Sequence, residues 1–178
     1  KFDTRTEANP RSAAPGFANW EDMGNHQLSV ADVDDDGRDE IVYGAIVVDD
    51  DGRGLYTTGR GHGDAFHVSK MDPDRPGLQA YGPHESPSLY GIAGSELRDA
   101  RTGEIIWSAD GQGADVGRGV AFDIDPRYRG YEAGSARGGL YSVKGELITS
   151  SRPNQMNFGV WWDADPLREL LDGTTISK

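Results

Sequence analysis

The sequence contains no cysteine. This absence excludes a disulfide framework, a thiolate nucleophile and a thiolate zinc site, and it is compatible with an exported bacterial protein. The chain also lacks an apolar stretch of about 18 residues, the length that a membrane-spanning helix requires. Its first residues, KFDTRTEANPRS, have no apolar signal core. We therefore expect a secreted, extracellular protein that has no membrane partner and whose export signal is not in this chain.

Positive charge is also scarce. The chain has 18 lysines and arginines against 30 aspartates and glutamates, which gives a formal net charge of -12. Nucleic-acid binding depends on attraction to phosphate, so this charge has the wrong sign and excludes a nucleic-acid partner. The acidic residues are clustered in aspartate-rich loops, where carboxylates repel one another unless a cation lies between them. The charge pattern therefore favours bound cations.

The 178 residues have the length of one domain. The chain has 25 glycines and nine prolines, which divide it into short apolar runs typical of strands joined by turns. These runs are HQLSVADV, EIVYGAIVV, AFHVSKM, GEIIWSA, GVAFDID and GLYSVKGELIT. Two segments, LRDARTGEIIW and GGLYSVKGELIT, are typical of antiparallel hairpins. Only PLRELLDG predicts the start of a helix, with Leu167, Leu170 and Leu171 on one face.

An acidic motif recurs along the chain. Its copies are SVADVDDDGRDEIVYG from Ser29, HVSKMDPDRPGLQAYG from His67, GVAFDIDPRYRGYEAG from Gly119 and a weaker GVWWDADPLRELLDG from Gly159. A repeat of about 40 to 50 residues indicates a β-propeller or a solenoid built of single sheets. A closed propeller usually needs more blades than four, and no closing strand is visible. We predict an all-β fold in which residues 1–178 form a single partial β-propeller domain.

The first acidic copy has the chemistry of a calcium loop. Asp32, Asp34 and Asp36 alternate, Gly37 allows a sharp turn and Glu40 follows, so hard oxygen ligands converge within a few residues. An EF-hand is excluded because the following EIVYGAIVV is predicted to be a strand. The alternative is an acidic turn that binds nothing. We predict a calcium site at this loop.

The other copies differ in their ligands. In the second copy Asp72 and Asp74 remain, but Lys70 and Gln79 occupy ligand positions, so we expect a weak or empty site. The third copy keeps Asp123, Asp125 and Glu132 and predicts another calcium site. The segment VVDDDGRG, residues 47–54, is better explained as a hairpin turn at Asp-Gly with solvated carboxylates.

Histidines and further carboxylates form a separate candidate site. In the glycine-rich run GHGDAFH, His62 and Asp64 alternate; His26 lies in GNHQ and Glu85 in PHES. Taken alone, these four residues suggest a transition metal, because imidazole favours zinc, iron or nickel. The alternative is a set of unrelated structural histidines, which is the commoner case, and His67 in the apolar AFHV is typical of an ordinary strand residue.

Several long motifs resemble the rhamnogalacturonan lyases of polysaccharide lyase family 11. They are GNHQLSVADVDDDGRDEIVYGA, GHGDAFHVSKMDPDRPG, LRDARTGEIIW, DVGRGVAFDIDPRYRG, GGLYSVKGELI and NFGVWWDADPLRELLDGTTISK. The resemblance runs from about Gly24 to Lys178. It implies a catalytic eight-bladed propeller that carries calcium ions and cleaves the rhamnogalacturonan I backbone of pectin by β-elimination. The chain would then form about four blades, a fragment of the larger catalytic domain.

The resemblance also implies roles for individual residues. It places His26, His62, Asp64 and Glu85 at a calcium site in the central cleft. The ion expected at these residues is therefore calcium and not a transition metal. Arg118, in DVGRGV, falls where the family has an arginine in its active cleft. From the residues alone, Arg118 is equally compatible with a surface position. The segment AYGPHESPSLYGIAGSELRDA departs from the family pattern and is longer.

Two other classes of function fit parts of the sequence. A non-catalytic calcium-binding propeller, acting as an adhesion or interaction module, explains the aspartate loops but not the histidines. A hydrolase would use Asp64 and Glu85 as a general acid and base pair. We expect a calcium-dependent polysaccharide lyase with an acidic cell-wall polysaccharide as its substrate.

Overall fold

The structure is a computed structural model that describes residues 20–178. The first residues, where the sequence predicts no signal core, lie outside the described part. Four antiparallel sheets account for nearly all regular structure there, so the predicted all-β class is confirmed. A single helical turn, α1 (Pro87–Tyr90), is also present and was not predicted. None of the described helical structure is long and apolar enough to cross a membrane.

Strands that are consecutive in sequence are neighbours in every sheet. Sheet 1 contains β1 (Ser29–Ala31), β2 (Glu40–Tyr43), β3 (Ile46–Val48) and β4 (Gly54–Thr57). Sheet 2 contains β5 (His67–Ser69), β6 (Gln79–Pro83), β7 (Ala93–Asp99) and β8 (Ile105–Asp110). Sheet 3 contains β9 (Gly119–Phe122), β10 (Glu132–Ser135), β11 (Leu140–Ser142) and β12 (Leu147–Thr149). Sheet 4 contains β13 (Phe158–Val160), β14 (Glu169–Asp172) and β15 (Thr175–Ser177).

The four predicted repeats therefore correspond to four sheets, and each sheet packs on the next. Apolar side chains of successive sheets form shared clusters. Val42 and Val47 of sheet 1 pack against Phe66, which directly precedes sheet 2, and against Ala80 of sheet 2. The cluster between sheets 2 and 3 contains Met71, Tyr81, Leu97, Ala121, Ala133 and Val143. The cluster between sheets 3 and 4 contains Val120, Met156 and Leu170.

The C-terminal helix prediction was wrong. The segment PLRELLDG contains β14, which pairs with β13 on one side and β15 on the other. Leu170 packs on Val120 of sheet 3, while Leu171 pairs with Phe158 and faces the opposite side. The alternating environment is that of a strand, and Gly173, at a φ of 57°, turns the chain into β15. Packing between sheets therefore overrides the helical spacing of the leucines.

The hairpin predictions were confirmed, and one further turn was missed. LRDARTGEIIW joins β7 to β8, GGLYSVKGELIT joins β11 to β12, and residues 47–54 form the turn from β3 to β4. EIVYGAIVV is not a single strand, because it divides into β2 and β3. Gly44, at a φ of 61°, makes the turn between them.

The strand directions separate two ends of each sheet. The first strand of every sheet runs into an acidic loop that leads to the second strand, and we call this side the acidic end. Residues just before the first strands lie at the opposite side, which we call the histidine end. The segments that precede β1, β5, β9 and β13 contribute His26, Asp64, Arg118 and Asn157 to it. The repeat thus brings distant parts of the sequence to one side of the molecule.

Each acidic loop is closed by the same hydrogen bond. The side chain at the start of the second strand accepts a hydrogen bond from the backbone N–H seven residues earlier. The four pairs are Glu40 with Val33, Gln79 with Asp72, Glu132 with Asp125 and Glu169 with Trp162, at 2.8 to 2.9 Å. All four accepting residues are buried. This contact satisfies a loop N–H that would otherwise be buried without a partner.

Two of the loops receive a lysine ammonium group. Lys144 Nζ, from the β11–β12 turn, lies 2.8 Å from Asp72 Oδ1 and 3.4 Å from Asp74 Oδ2. Arg129 Nε also contacts Asp74, at 3.0 Å. In sheet 4, Lys178 Nζ lies 2.5 Å from a carboxylate oxygen of both Asp163 and Asp165. These ammonium groups supply the positive charge that a bound metal ion would otherwise supply.

The second loop therefore generates a prediction about stability. Replacing Lys144 by Met leaves the buried carboxylate of Asp72 without its main counter-charge, and burial without a partner is costly. We expect Lys144→Met to lower the melting temperature in a buffer that contains a calcium chelator. Differential scanning calorimetry measures the shift.

The matched control is Lys70→Met, because Lys70 is an exposed lysine of the same loop. Surface substitutions away from such contacts change stability little, so this variant should have the same melting temperature as the wild type. Equal melting temperatures for the Lys144 and Lys70 variants would show that the Lys144 ammonium does not stabilise the loop.

Candidate metal centres

Four predicted ligands meet at the histidine end. The backbone holds their segments together: His26 N donates to Gly63 O at 3.2 Å, and Glu85 N donates to His62 O at 3.0 Å. Asn25 forms a parallel bridge with Gly63. These cross-links join three segments that are far apart in sequence. The resulting cluster contains His26, His62, Asp64 and Glu85, each of which offers a ligand atom within 4.8 Å of the others.

The side chains of this histidine cluster are paired with one another. His26 Nε2 lies 3.2 Å from Asp64 Oδ1, and His62 Nε2 lies 3.7 Å from Glu85 Oε1. The two imidazole rings meet edge to face, with centroids 4.9 Å apart. All four side chains remain partly accessible to solvent. The cluster is therefore open to an ion and to a ligand.

Electrostatic strain is concentrated on one carboxylate of the cluster. Burial and the neighbouring Asp64 carboxylate raise the pKa of Glu85, while the His62 ring opposes this shift. Two carboxylates at this separation disfavour joint ionisation. A cation between them would relieve the repulsion, so the donor set fits a bound metal ion.

A close backbone contact explains the glycine-rich run GHGDAFH. A Cβ atom at Gly63 would lie 2.1 Å from the Pro83 carbonyl oxygen, which no larger residue can accommodate. The neighbouring Asn25 is buried and donates from Nδ2 to Ala65 O at 3.3 Å. The glycine thus allows the His62 segment to lie against both Asn25 and the strand that leads to Glu85.

Arg118 lies at the same end of the sheets. It directly precedes β9, and a Cβ atom on the adjacent Gly117 would be 3.6 Å from Asp64 Oδ2. The Arg118 guanidinium is exposed and donates from Nη1 to Asn157 Oδ1, while Asn157 Nδ2 donates to Asp172. Arg118 therefore follows a backbone segment that lies next to Asp64, and Asn157 orients its guanidinium.

The first acidic loop also gathers its predicted ligands. Asp32, Asp34 and Asp36 form a group of carboxylates within 4.8 Å of one another. Asp32 Oδ2 accepts a hydrogen bond from Gly37 N at 3.0 Å, which holds the turn closed. The side chain of Glu40 is fully buried, and its Oε1 has no hydrogen-bond partner. Burial and the three aspartates raise the pKa of Glu40, as expected where a cation is needed.

Sequence reasoning missed two carboxylates at this loop. Glu40 groups with Asp49 and Asp50 of the β3–β4 turn, which the sequence predicts to be solvated. Asp50 pairs instead with Arg38 Nη1 at 2.8 Å, and burial raises the pKa of Asp49. The turn itself is as predicted, but its carboxylates lie against the first loop. Antiparallel pairing of β2 with β3 brings them there, a contact that spacing along the chain does not reveal.

The third and fourth loops differ from the prediction. Asp123, Asp125 and Glu132 are not among the groups of three ligand atoms found within residues 20–178. Arg127 binds the Asp125 carboxylate instead, with Nε at 2.9 Å from Oδ1. In the fourth loop, Asp163, Asp165 and Glu169 do form a group. The mistaken helix over PLRELLDG concealed the role of Glu169, although its spacing from the aspartates repeats that of Glu40.

Other residues considered from sequence have structural positions. His67 is half-buried in β5, and its Nε2 lies 3.3 Å from Gly119 O; the partial burial lowers its pKa. Trp107 packs between Tyr81 and Tyr141 and donates to Val143 O, which is a contact between sheets 2 and 3. These residues belong to the core and not to a ligand site.

The chain matches the family model "Rhamnogalacturonan lyase family 11, C-terminal domain" over residues 4–178. Among curated proteins it is 52% identical to the rhamnogalacturonan endolyase YesW and 51% identical to the rhamnogalacturonan exolyase YesX, both of Bacillus subtilis. These alignments cover 94% and 90% of this chain, but only 26% and 27% of the relatives. The chain thus spans about a quarter of their length.

Solved structures agree with the sequence match. The rhamnogalacturonan lyase PL11 of Bacillus licheniformis is 54% identical, with a TM-score of 0.85 over 93% of this chain and 28% of its own. The crystal structure of YesW gives the same TM-score at 51% identity, over the same shares of the two chains. With a family model that covers nearly the whole sequence, this chain belongs to rhamnogalacturonan lyase family 11.

Proposed function

We propose that the protein carrying this chain is a calcium-dependent, extracellular rhamnogalacturonan lyase, and that the histidine cluster is its cation site. The observation that carries the proposal is the meeting of His26, His62, Asp64 and Glu85 at one end of the sheets in a member of this family. Similar proteins of known name are an endolyase and an exolyase that act on rhamnogalacturonan. The substrate would be rhamnogalacturonan I, an acidic polymer of the plant cell wall.

We also propose that the four sheets are consecutive blades of an eight-bladed propeller. Each sheet is an antiparallel meander that packs on the next, which is how blades are arranged. The outer face of sheet 1 exposes Val30 and Ile41, and that of sheet 4 exposes Phe158. Further blades would cover these apolar faces. Residues 1–178 would then be one part of a larger catalytic domain.

The choice of calcium rests on family resemblance and on the charge of the cluster. Two carboxylates supply hard oxygen ligands, and the raised pKa of Glu85 reflects its burial together with the neighbouring Asp64 carboxylate. Neutral imidazoles would complete the site. When bound there, calcium would bind the substrate uronate carboxylate and make the proton on C5 more acidic.

The residues of this chain have distinct tasks in β-elimination. A base removes the proton from C5 of the uronate, electron density shifts toward the carboxylate, and the C4 oxygen leaves with its bonding electrons. Arg118 stands beside the cluster and would stabilise the developing anion, since a guanidinium keeps its proton. Asn157 would hold Arg118 in place through the contact with its Nη1 atom. The His62 and Glu85 segments, joined by a backbone hydrogen bond, would fix the position of the substrate carboxylate.

Product analysis tests the proposed reaction. With rhamnogalacturonan I as substrate, a lyase releases an unsaturated uronate that absorbs in the ultraviolet. A hydrolase releases new reducing ends without this absorbance, and an adhesion or interaction module releases neither. We expect ultraviolet-absorbing products that disappear when calcium is chelated. His62→Ala and Asp64→Ala each remove a ligand and should lower kcat/KM by more than about 100-fold.

The control for this experiment is Glu104→Gln, an exposed carboxylate in the β7–β8 turn at the acidic end. It should leave activity unchanged. Circular dichroism and melting curves establish that the His62 and Asp64 variants are folded. Full activity in either of the two variants would rule out the histidine cluster as the cation site of the reaction.

Calcium should also stabilise the fold through the first acidic loop. Asp32, Asp34 and Asp36 repel one another around the buried Glu40, so an ion that binds only the folded state raises stability. At a calcium concentration of 100 times Kd the gain is about 2.7 kcal/mol per site. We expect a higher melting temperature in calcium than in chelator, and a smaller difference for Asp34→Asn. Identical melting curves in calcium and in chelator would contradict this expectation.

Glu132 provides a pH test of the third loop. Burial, with added repulsion from Asp123 and Asp125, raises the pKa of Glu132 from 4.5 to about 7. In calcium-free buffer the folded state keeps this proton at pH values where the unfolded chain has lost it. The contribution of Glu132 to stability is therefore fully present below about 4.5 and declines as pH rises through about 7.

The variant Glu132→Gln keeps the acceptor oxygen and cannot ionise, as Gln79 does naturally in sheet 2. In the presence of a chelator we expect it to be more stable than the wild type by about 2 kcal/mol at about pH 8, and similar at about pH 4. Chemical denaturation at both pH values measures the difference. A difference that does not change with pH would contradict the assigned ionisation of Glu132.

A further inference from the structure

A fully buried carboxylate lies next to the histidine cluster. Glu96, in β7, is 0% exposed and receives three basic side chains. Its Oε2 lies 2.7 Å from Arg60 Nε and 3.6 Å from His84 Nε2, and its Oε1 lies 3.1 Å from Arg98 Nη1. Arg98 is also fully buried. Glu96 is therefore the shared counter-charge of three basic side chains, and it accepts a hydrogen bond from Arg98.

Two of these basic residues adjoin proposed cation ligands. Arg60 lies two residues before His62, and His84 directly precedes Glu85. Both approach the same oxygen of Glu96, so the Arg60 guanidinium lies close to the segment that carries Glu85. Arg98 has a different task, because its Nη2 donates to the Gly44 carbonyl of sheet 1 and its guanidinium lies over the Phe66 ring.

The charges of this group are balanced by Glu96. Burial opposes ionisation, but the combined influence of His84, Arg98 and Arg60 lowers the pKa of Glu96. The carboxylate is thus ionised and compensates the guanidiniums. Arg60 is the more accessible arginine, because its side chain is 25% exposed while those of Arg98 and Glu96 are wholly buried.

Within residues 20–178, basic side chains pair with carboxylates in the acidic loops of sheets 2, 3 and 4. Lys144 binds Asp72, Lys178 binds Asp163 and Asp165, and Arg127 binds Asp125. An ammonium or guanidinium group in such a cluster competes with a metal ion for the same oxygens. Two arginines lie near the histidine cluster: Arg118 is held by Asn157, and Arg60 pairs with Glu96.

We propose that Glu96 is a positioning residue that holds Arg60 away from Asp64 and Glu85, so that these carboxylates stay available to a cation. The inference rests on the proposed cation site at the histidine cluster. Glu96 touches neither the ion nor the substrate. It acts by giving Arg60 an anionic partner at 2.7 Å, and this buried carboxylate would lose one of its counter-charges if Arg60 turned away.

Cobalt(II) binding tests this role without any measurement of activity. Co²⁺ prefers a site with imidazole ligands to the aspartate loops, which offer only oxygen ligands. The visible absorption of bound Co²⁺ reports whether nitrogen atoms ligate it. In calcium-free buffer, Glu96→Gln frees Arg60 and should weaken Co²⁺ binding by about 10- to 100-fold. The double variant Glu96→Gln/Arg60→Gln removes the competitor and should recover most of that affinity. Arg60→Gln alone should bind Co²⁺ at least as tightly as the wild type.

The outcomes separate this inference from the proposed site. If the wild type gives no imidazole-type Co²⁺ spectrum, the cation site and the role of Glu96 both fail. If the wild type binds and Glu96→Gln binds equally well, or if the double variant is not rescued, the site stands and the role of Glu96 fails. If Glu96→Gln does not fold, the Arg60→Gln variant tests the role of Glu96. Weaker Co²⁺ binding by Arg60→Gln would show that Arg60 supports the cation site and does not compete with the ion, and the role of Glu96 would fail. Arg129→Gln, which removes an arginine–aspartate pair at the acidic end, is the matched control and should bind normally.

Discussion

A buried side-chain oxygen at the start of the second strand holds each acidic loop in place. Glu40, Gln79, Glu132 and Glu169 all accept a hydrogen bond from the backbone seven residues earlier. Without this contact the loop would leave a buried N–H unpaired and could not close over the strands below it. Three of the four acceptors are carboxylates, so the same interaction that closes the loop also places negative charge in the interior. That charge must be balanced, and the rest of the acidic end is organised around the balance.

The chain balances this charge in several ways. Sheet 2 uses an amide at Gln79 and the ammonium of Lys144, and sheet 4 uses Lys178. Sheet 3 leaves Glu132 with a pKa of about 7 and neutralises Asp125 with Arg127. Sheet 1 sets Arg38 against Asp50, while Asp32, Asp34 and Asp36 lie together in its acidic loop. The same repeat therefore contains one loop that keeps a group of carboxylates and others in which the chain's own basic side chains supply positive charge.

The sequence predicted what is encoded locally. The four repeats, the hairpin turns and the first acidic loop were recognisable from short motifs and their spacing, whereas the histidine cluster was left open by the residues and was implied by the family resemblance. The cation pairs were not, because Lys144 lies far along the chain from Asp72 and only the packing of sheet 3 on sheet 2 brings them together. The strand at Glu169 was mistaken for a helix for the same reason, since Leu170 takes its environment from Val120 of the preceding sheet. Contacts between sheets decide both cases.

The acidic end and the histidine end lie at opposite ends of the same short strands. A strand of three to five residues separates them by roughly 10 to 17 Å, so the loops that stabilise the sheets are spatially independent of the residues proposed to act on substrate. Evolution can therefore exchange an acidic loop for a lysine-filled one without disturbing the opposite end. The lysine-filled loops of sheets 2 and 4 and the aspartate loop of sheet 1 show that one repeat accommodates different ways of balancing charge.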